Sequence, residues 1–429
     1  MRSEEEQNPL LRFAPLIIAA GFFVLYIATC QRGWCWQDGG LFQRRIFSGD
    51  IKGGFGIAAA HPLFIMLGVA VDSVCRMLGG GAEVRLFLTN AQSALWMALA
   101  VGFFAAAVRR YSGSAKSAWI CGFAFGFAHM TWWMGTICEV HALEIFLFAA
   151  ELFVLVGEWT EKNSFSRAAI LFALCGVHFS VHNLALLALP VYAYLVWRNV
   201  KGPNRAGRLA MIALCWALGA SPVILLALRK YALSGFALTV RSVFVGSFGG
   251  AVFGLVPPSP KLFLLNAALA AMSFAMPAVC LWASLWNTRA RGKPLERTPA
   301  EAQLRIPLVV ILAIHALFLV RYFVPDQAFF LLPALVLSLL LVSPGLADER
   351  STGLALVACV MIGAVVPLLA AHIASSAPRL DRGTHPGRDD VMYFAIPWKF
   401  NEDSCDRLVK ERGLEEFWAG YLPGDDAAH

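Results

Sequence analysis

The chain has 429 residues, of which 59% are hydrophobic and only 15% charged, with a formal net charge of +7 and a mean hydropathy of +0.64. An ordinary soluble domain carries roughly a quarter charged residues. These values exclude a disordered chain, a collagen-like or coiled-coil rod and a one-core soluble enzyme, and they leave an all-α polytopic membrane protein.

The charge is unevenly spread. Residues 375–429 hold 18 of the 63 charges and sum to −4, so residues 1–374 carry +11. This divides the chain into a membrane domain, 1–374, and a short extracytoplasmic tail, 375–429. The basic residues sit in short connections between apolar runs, so they report topology and not nucleic-acid binding. Cys121, Cys175, Cys215, Cys280 and Cys359 lie inside apolar runs as small hydrophobes, and no spacing of a disulfide framework or metal site appears.

The first apolar run, 13–30, follows three glutamates and lacks a good cleavage site, so it reads as an uncleaved helix and not a signal peptide. Further runs cover 86–108, 117–138, 141–157, 167–180, 182–197, 208–227, 261–286, 305–320, 327–343 and 352–374, which makes about eleven spans. A cytoplasmic N-terminus puts three Lys/Arg clusters inside: Arg109 to Lys116, Arg198 to Arg208, and Arg289 to Arg305. The C-terminus is then outside, as in a bacterial inner membrane protein. Counting 61–78 as a span would invert every later loop. It therefore reads as an interfacial or re-entrant helix within a long first outer loop, 31–85. The second sizeable outer loop is 229–260, and residues 402–418 read as a short amphipathic helix packed back on the outer loops.

With this orientation the unusual polar residues fall on one face. Asp38, Asp50 and His61 lie in the first outer loop, and Glu139 and His141 at one outer turn. His178, His182 and Asn183 lie at another turn, and Arg321 and Asp326 at a third. Ionisable groups at membrane depth are costly and mark function by default. Each also has a plain structural role. Asp38 fits a solvated loop acid, Glu139 a helix-start hydrogen bond, and Arg321 a side chain snorkelling to headgroups. His178 and His182 have the i,i+4 spacing of a metal pair but equally that of two core histidines.

Four stretches carry a family resemblance. They are Trp36-Gln37-Asp38-Gly39-Gly40 followed by Ala60-His61-Pro62; Cys138-Glu139-Val140-His141-Ala142-Leu143-Glu144; Val324-Pro325-Asp326-Gln327; and Gly387-Arg388-Asp389-Asp390 through Tyr393 to Pro397-Trp398-Lys399. Together with Gly176 to Asn183 they resemble the DUF2723 family of GT-C-type polytopic glycosyltransferases, related to protein O-mannosyltransferases. Leu41 stands where that family commonly has a second acid, and Leu63 follows His61-Pro62 where a second proline is usual.

The resemblance implies transfer of a sugar, with inversion, from a polyprenyl-phosphate donor to a hydroxyl acceptor on protein, glycan or lipid at the outer face. Such a step needs a carboxylate to take the acceptor's proton, for which Asp38 is placed, with Glu139 and His61 beside it. It needs cations for the departing phosphate: Arg321 first, then Arg229, Lys230 and Arg241. His141, His178, His182, Asn183 and Asp326 would bind or orient the acceptor. No cofactor is demanded. A divalent metal held by Asp38, Glu139 and a histidine is possible, although no ligand spacing calls for one. The competing reading is a transporter or lipid flippase, against which the two halves share no repeated motif.

Overall fold

The computed structural model describes residues 8–35, 37–254, 260–291, 298–322, 324, 327–346 and 349–375. Every regular element among them is helical. Five helices are long and apolar enough to cross a membrane: Ala82–Ser112, Ser221–Phe244, Asn266–Arg289, Pro299–Arg321 and Gln327–Leu346. The tail from 376 onward and Asp326 lie outside the described residues, as does the expected helix at 402–418.

The helices taken in order are α1 (Ala14–Thr29), α2 (Gln37–Ser48), α3 (Pro62–Met77), α4 (Ala82–Ser112), α5 (Ala115–Gly126), α6 (His129–Met134), α7 (Val140–Leu155), α8 (Ser164–Phe179), α9 (Ala185–Asn199), α10 (Arg205–Gly219), α11 (Ser221–Phe244), α12 (Pro260–Arg291), α13 (Pro299–Arg321), α14 (Leu332–Val342) and α15 (Glu349–Ser375). Their starts follow from local chemistry. Ser114 caps α5 by accepting the Ser117 N–H at 3.2 Å, and Thr298 caps α13 by accepting the Glu301 N–H at 3.0 Å. The centre of the bundle is α4, which packs against α1, α5 and α7 and buries Met97, Val101, Phe104 and Val108.

Polar ties sort the connections to two ends. At one, Thr298 Oγ1 donates to Tyr111 O at 2.7 Å, Ser117 Oγ to Ser343 O at 2.8 Å, and Asn287 Nδ2 to Gly345 O at 3.0 Å. Arg109, Arg110 and Lys116 neighbour these ties in sequence, as do Arg289 and Arg305. At the other end, Gln31 N donates to Thr136 O at 2.8 Å, Leu63 N to Ser180 O at 3.1 Å, and Asn183 Nδ2 to Val243 O at 2.8 Å. These ties collect the connections that hold the candidate residues.

The expected helix over 61–78 is present as α3. It is clamped to α4 by buried Asp72, which receives Arg85 through two bonds of 2.6 and 3.1 Å and Arg76 at 3.1 Å. Three expectations need correction. The run 117–138 is two helices, α5 and α6, broken at 127–128. The run 208–227 breaks after Gly219, because Pro222 stands in the first turn of a new helix and its ring fits only there. The loop expected over 229–260 is helical through Phe244, with one break at Gly235, whose φ of 78° and ψ of 179° suit only glycine.

Candidate active site

The first connection is built on buried amides. Asn90 on α4 donates to Gln31 O at 2.8 Å and Gly33 O at 3.1 Å. Gln43 on α2 accepts the Cys35 N–H at 2.8 Å and donates to Asn90 Oδ1 at 3.1 Å. Residues 31–35 are thereby pinned to α4, which fixes where α2 starts. Arg45 fastens the following loop, donating to Asp50 O and Ile51 O at 3.1 Å and to Ala60 O at 2.6 Å. Arg45 is 4% exposed, and burial lowers its pKa.

His61 follows directly. It is one of two non-glycine residues at positive φ among those described, at φ 46° and ψ 50°. That left-handed conformation costs about 1–2 kcal/mol for a residue with a Cβ. The surroundings hold it there. Nδ1–H donates to Val181 O at 2.8 Å, Phe42 meets the ring edge to face at 5.6 Å, and the His182 ring stacks on it at 5.1 Å with 11° between planes. Burial lowers its pKa to about 3 against the opposing effect of the Val181 bond, so the ring is neutral near pH 7. The His182 pKa is also pushed down, again chiefly by burial, and its Nδ1 accepts the Leu184 N–H at 3.2 Å. The stack thus joins two neutral imidazoles from connections far apart in the chain.

A third ring completes the group. His141, in the first turn of α7, lies 5.2 Å from His182 and 5.1 Å from Phe330. Below it runs a chain of buried polar groups. His141 Nδ1 meets Glu144 Oε2 at 2.8 Å, and Glu144 Oε1 lies 3.7 Å from His178 Nε2. His178 Nδ1 meets Glu151 Oε1 at 2.9 Å, and Tyr192 OH donates to Glu151 Oε2 at 3.0 Å. Both glutamates are fully buried. Helices α7, α8 and α9 are therefore linked through charge-assisted contacts inside the bundle, where each carboxylate must have a partner.

The other candidates divide between near and far. Asp38 stands exposed in the first turn of α2, one turn before Phe42, which touches His61. Its neighbour Gly39 lies so close to the carbonyl before Glu139 that a Cβ there would stand 3.0 Å from Cys138 O. Asp38, Glu139 and His61 thus share one neighbourhood. Glu139 is buried and caps α7, accepting the Val140 N–H at 2.9 Å. Asn183 holds the His182 turn to α11 through Val243 O, two residues from exposed Arg241. Arg321 is exposed and donates to Phe253 O at 3.2 Å. Its neighbour Tyr322 packs on Phe330 at 5.0 Å, one ring away from His141 and His182. Arg229, exposed, and Lys230, partly exposed, lie on α11 before its break at Gly235.

The metal reading of His178 and His182 fails for a local reason. Helix α8 ends at Phe179, so the two rings leave one helical face; His178 turns to the glutamates and His182 to His61. Among the described residues no group of three or more His, Cys, Asp or Glu is placed to hold a metal ion. The sequence reading missed Glu151 and Tyr192, and it gave Arg45, Gln43, Asn90 and Glu144 no role in the site. Glu144 and Glu151 carried a usable signal: both are carboxylates within an apolar run. An apolar groove of about 520 Å³ between α3 and α4, lined by Val71, Val74, Leu78, Val84 and Leu88, lies toward the far end of α3 from the histidines.

Comparison with known proteins adds the following. Residues 58–205 match the family model of the protein O-mannosyl-transferase TMEM260 N-terminal domain. That is about a third of the chain, and it contains His61, Glu139, His141, Glu144, Glu151, His178, His182 and Asn183. No curated protein matches the sequence. Two solved structures are similar: ArnT from Cupriavidus metallidurans bound to undecaprenyl phosphate, at 15% identity and a TM-score of 0.38, and the same protein in the apo state, at 14% and 0.37. In both cases the match covers 94% of this chain and 88% of the other. At those TM-scores no residue-by-residue correspondence follows.

Proposed function

We propose that the chain is a multi-pass membrane glycosyltransferase of the GT-C type, which moves a sugar from a polyprenyl-phosphate carrier to a hydroxyl acceptor at the face that holds the histidines. The observation that carries the reading is the protein O-mannosyl-transferase match over 58–205, the stretch that supplies the stacked histidines and Glu139. Asp38 is the general base. Its carboxylate takes the acceptor's proton as that oxygen attacks the anomeric carbon, and the carbon–oxygen bond to the phosphate breaks on the opposite side, with inversion. Asp38 is exposed, as a base that must reach an incoming acceptor has to be, and the buried His61 and Glu139 would orient the acceptor or the base. The negative charge of the departing phosphate falls to the basic side chains at the rim, Arg321 and Arg241 first and Arg229 and Lys230 further along α11. His141, His182, Asn183 and Asp326 fall to the acceptor, while His178 braces His141 through Glu144.

The positive-inside distribution supports a cytoplasmic N-terminus, eleven spans and an outward site, with α2, α3 and α11 not crossing and the tail after 375 outside. A transporter or flippase is the second reading, favoured by one observation: the His178, Glu151 and Tyr192 set lies deep between helices, as substrate-coupled groups of transporters do. A mass-spectrometric survey of envelope proteins, glycans and lipids from cells with and without the gene tests the choice. Transferase activity predicts loss of a specific glycan with the lipid-linked sugar accumulating. An unchanged acceptor population with lipid-linked sugar retained on the cytoplasmic side contradicts it and favours the flippase.

A further inference from the structure

Helix α11 has the length of a membrane crossing but not the end-to-end geometry of one. Its 24 residues are long and apolar enough to span, and as one straight helix they would reach about 36 Å. Yet both ends meet the same turn. Ser180 Oγ donates to Gly219 O at 3.0 Å, two residues before α11 begins, and Asn183 Nδ2 donates to Val243 O at 2.8 Å, one residue before it ends. Ser180 and Asn183 are three residues apart, at most about 11 Å of chain. The helix must double back, and the break at Gly235 is where it does so, between arms of about 21 and 13 Å.

The arms are nearly bare of protein. Only Val223, Thr239 and Val243 are buried, while Leu225, Leu228, Tyr231, Leu233, Phe236 and Phe244 are between half and three-quarters exposed. These apolar side chains point in several directions around each arm, so no single protein face could cover them. Their exposure also continues that of Met211, Leu214 and Leu218 on α10, the helix leading into the hairpin. Arg229 and Arg241 are exposed on the same arms and Lys230 is partly exposed, as expected of helices lying at headgroup level with cations toward lipid phosphates.

We propose that Ser221–Phe244 is a membrane-seated hairpin whose occupant is the lipid leaflet on the site's side, with the apolar faces in the acyl boundary and the three basic residues at the headgroups. The second arm is also the wall of the first connection. Ser242 Oγ accepts the Ile57 N–H at 3.1 Å, and Ser247 N–H donates to Phe55 O at 3.0 Å just past it. A leaflet that seats the hairpin therefore also sets the height of the His61 loop and the His182 turn, whatever reaction they serve.

The test uses the full chain in nanodiscs of phosphatidylethanolamine and phosphatidylglycerol, with photoreactive benzoylphenylalanine replacing Phe236 or Leu228. Mass spectrometry of the irradiated peptides is expected to give lipid adducts in at least about tenfold excess over protein adducts at both positions, since only lipid lies within reach of side chains bare of protein. Adducts mainly to residues 376–429 or to a second copy would overturn the proposal. In sealed vesicles, Ala237→Cys, at an exposed position just past the break, is read with an impermeant maleimide against Lys52→Cys in the first connection. Labelling from the same side as position 52 supports a hairpin; protection, which a residue about 10 Å inside a crossing helix would show, or labelling from the opposite side means that the helix crosses and the proposal is wrong.

Discussion

Asp38 and the buried Glu144 illustrate two ways an acid can matter here, and they call for different tests. Asp38 is exposed in a first helical turn, so Asp38→Asn keeps fold and expression while transfer falls by about 10² to 10⁴-fold, the usual contribution of a positioned base. Glu144 is enclosed between His141 and His178. Glu144→Gln is expected to destabilise by roughly 3–5 kcal/mol because it breaks a buried charge-assisted chain, whereas Tyr192→Phe at the far end should cost about 1 kcal/mol. Thermal unfolding of the two variants in one detergent checks that order. His61 adds a pH dependence. Its folded pKa lies near 3, below the ordinary 6.5, so its contribution is fully present above about pH 6.5 and declines as pH falls toward 3. Hydrogen exchange in residues 55–63 should accelerate from about pH 7 to about pH 5 relative to exchange in α4, after correction for the intrinsic rate; a constant ratio would contradict this account of the ring.

The elements show what was and was not readable beforehand. Helices bounded by polar turns, such as α7, α8 and α15, came within a few residues of their hydropathy limits, because the ends of an apolar run and of a helix coincide there. Helix α3 was also legible as a helix, although Asp72 and Arg76 interrupt its apolar run. The structure shows why they are tolerated: Asp72 is the clamp that α4 grips with Arg85. Asp72→Asn is therefore expected to loosen α3 from α4, at roughly 1–2 kcal/mol given the partial exposure of both arginines, and to leave α1–α4 packing intact. Faster proteolysis at Gly79–Gly81 would report it. Breaks inside apolar runs were not legible. Hydropathy carries no phase across Gly219–Pro222, so the run 208–227 hid a helix end and a new start. The candidate site was half legible for a related reason. Residue type marked His61, Glu139, His141 and His182, but which rings stack depends on packing between distant connections. The supporting amides Gln43 and Asn90 are chemically ordinary until their partners are seen.

At the scale of the whole molecule, two ends of one bundle have opposite chemistry. Basic connections gather at one, and imidazoles, carboxylates and aromatic rings at the other. Lys116→Cys and Lys52→Cys should accordingly label from opposite sides of a sealed membrane; labelling of both from one side would contradict the separation of the two ends. The central claim is the transfer itself. The most direct measurement is made with purified protein in proteoliposomes given a labelled polyprenyl-phosphate sugar and hydroxyl acceptors, with wild type and Asp38→Asn side by side. The account predicts label moving from the lipid to the acceptor with inverted anomeric configuration, and at least about 100-fold less of it with Asp38→Asn. Transfer at equal rates by both proteins, or lipid-linked sugar carried across the bilayer with no acceptor labelled, would contradict it.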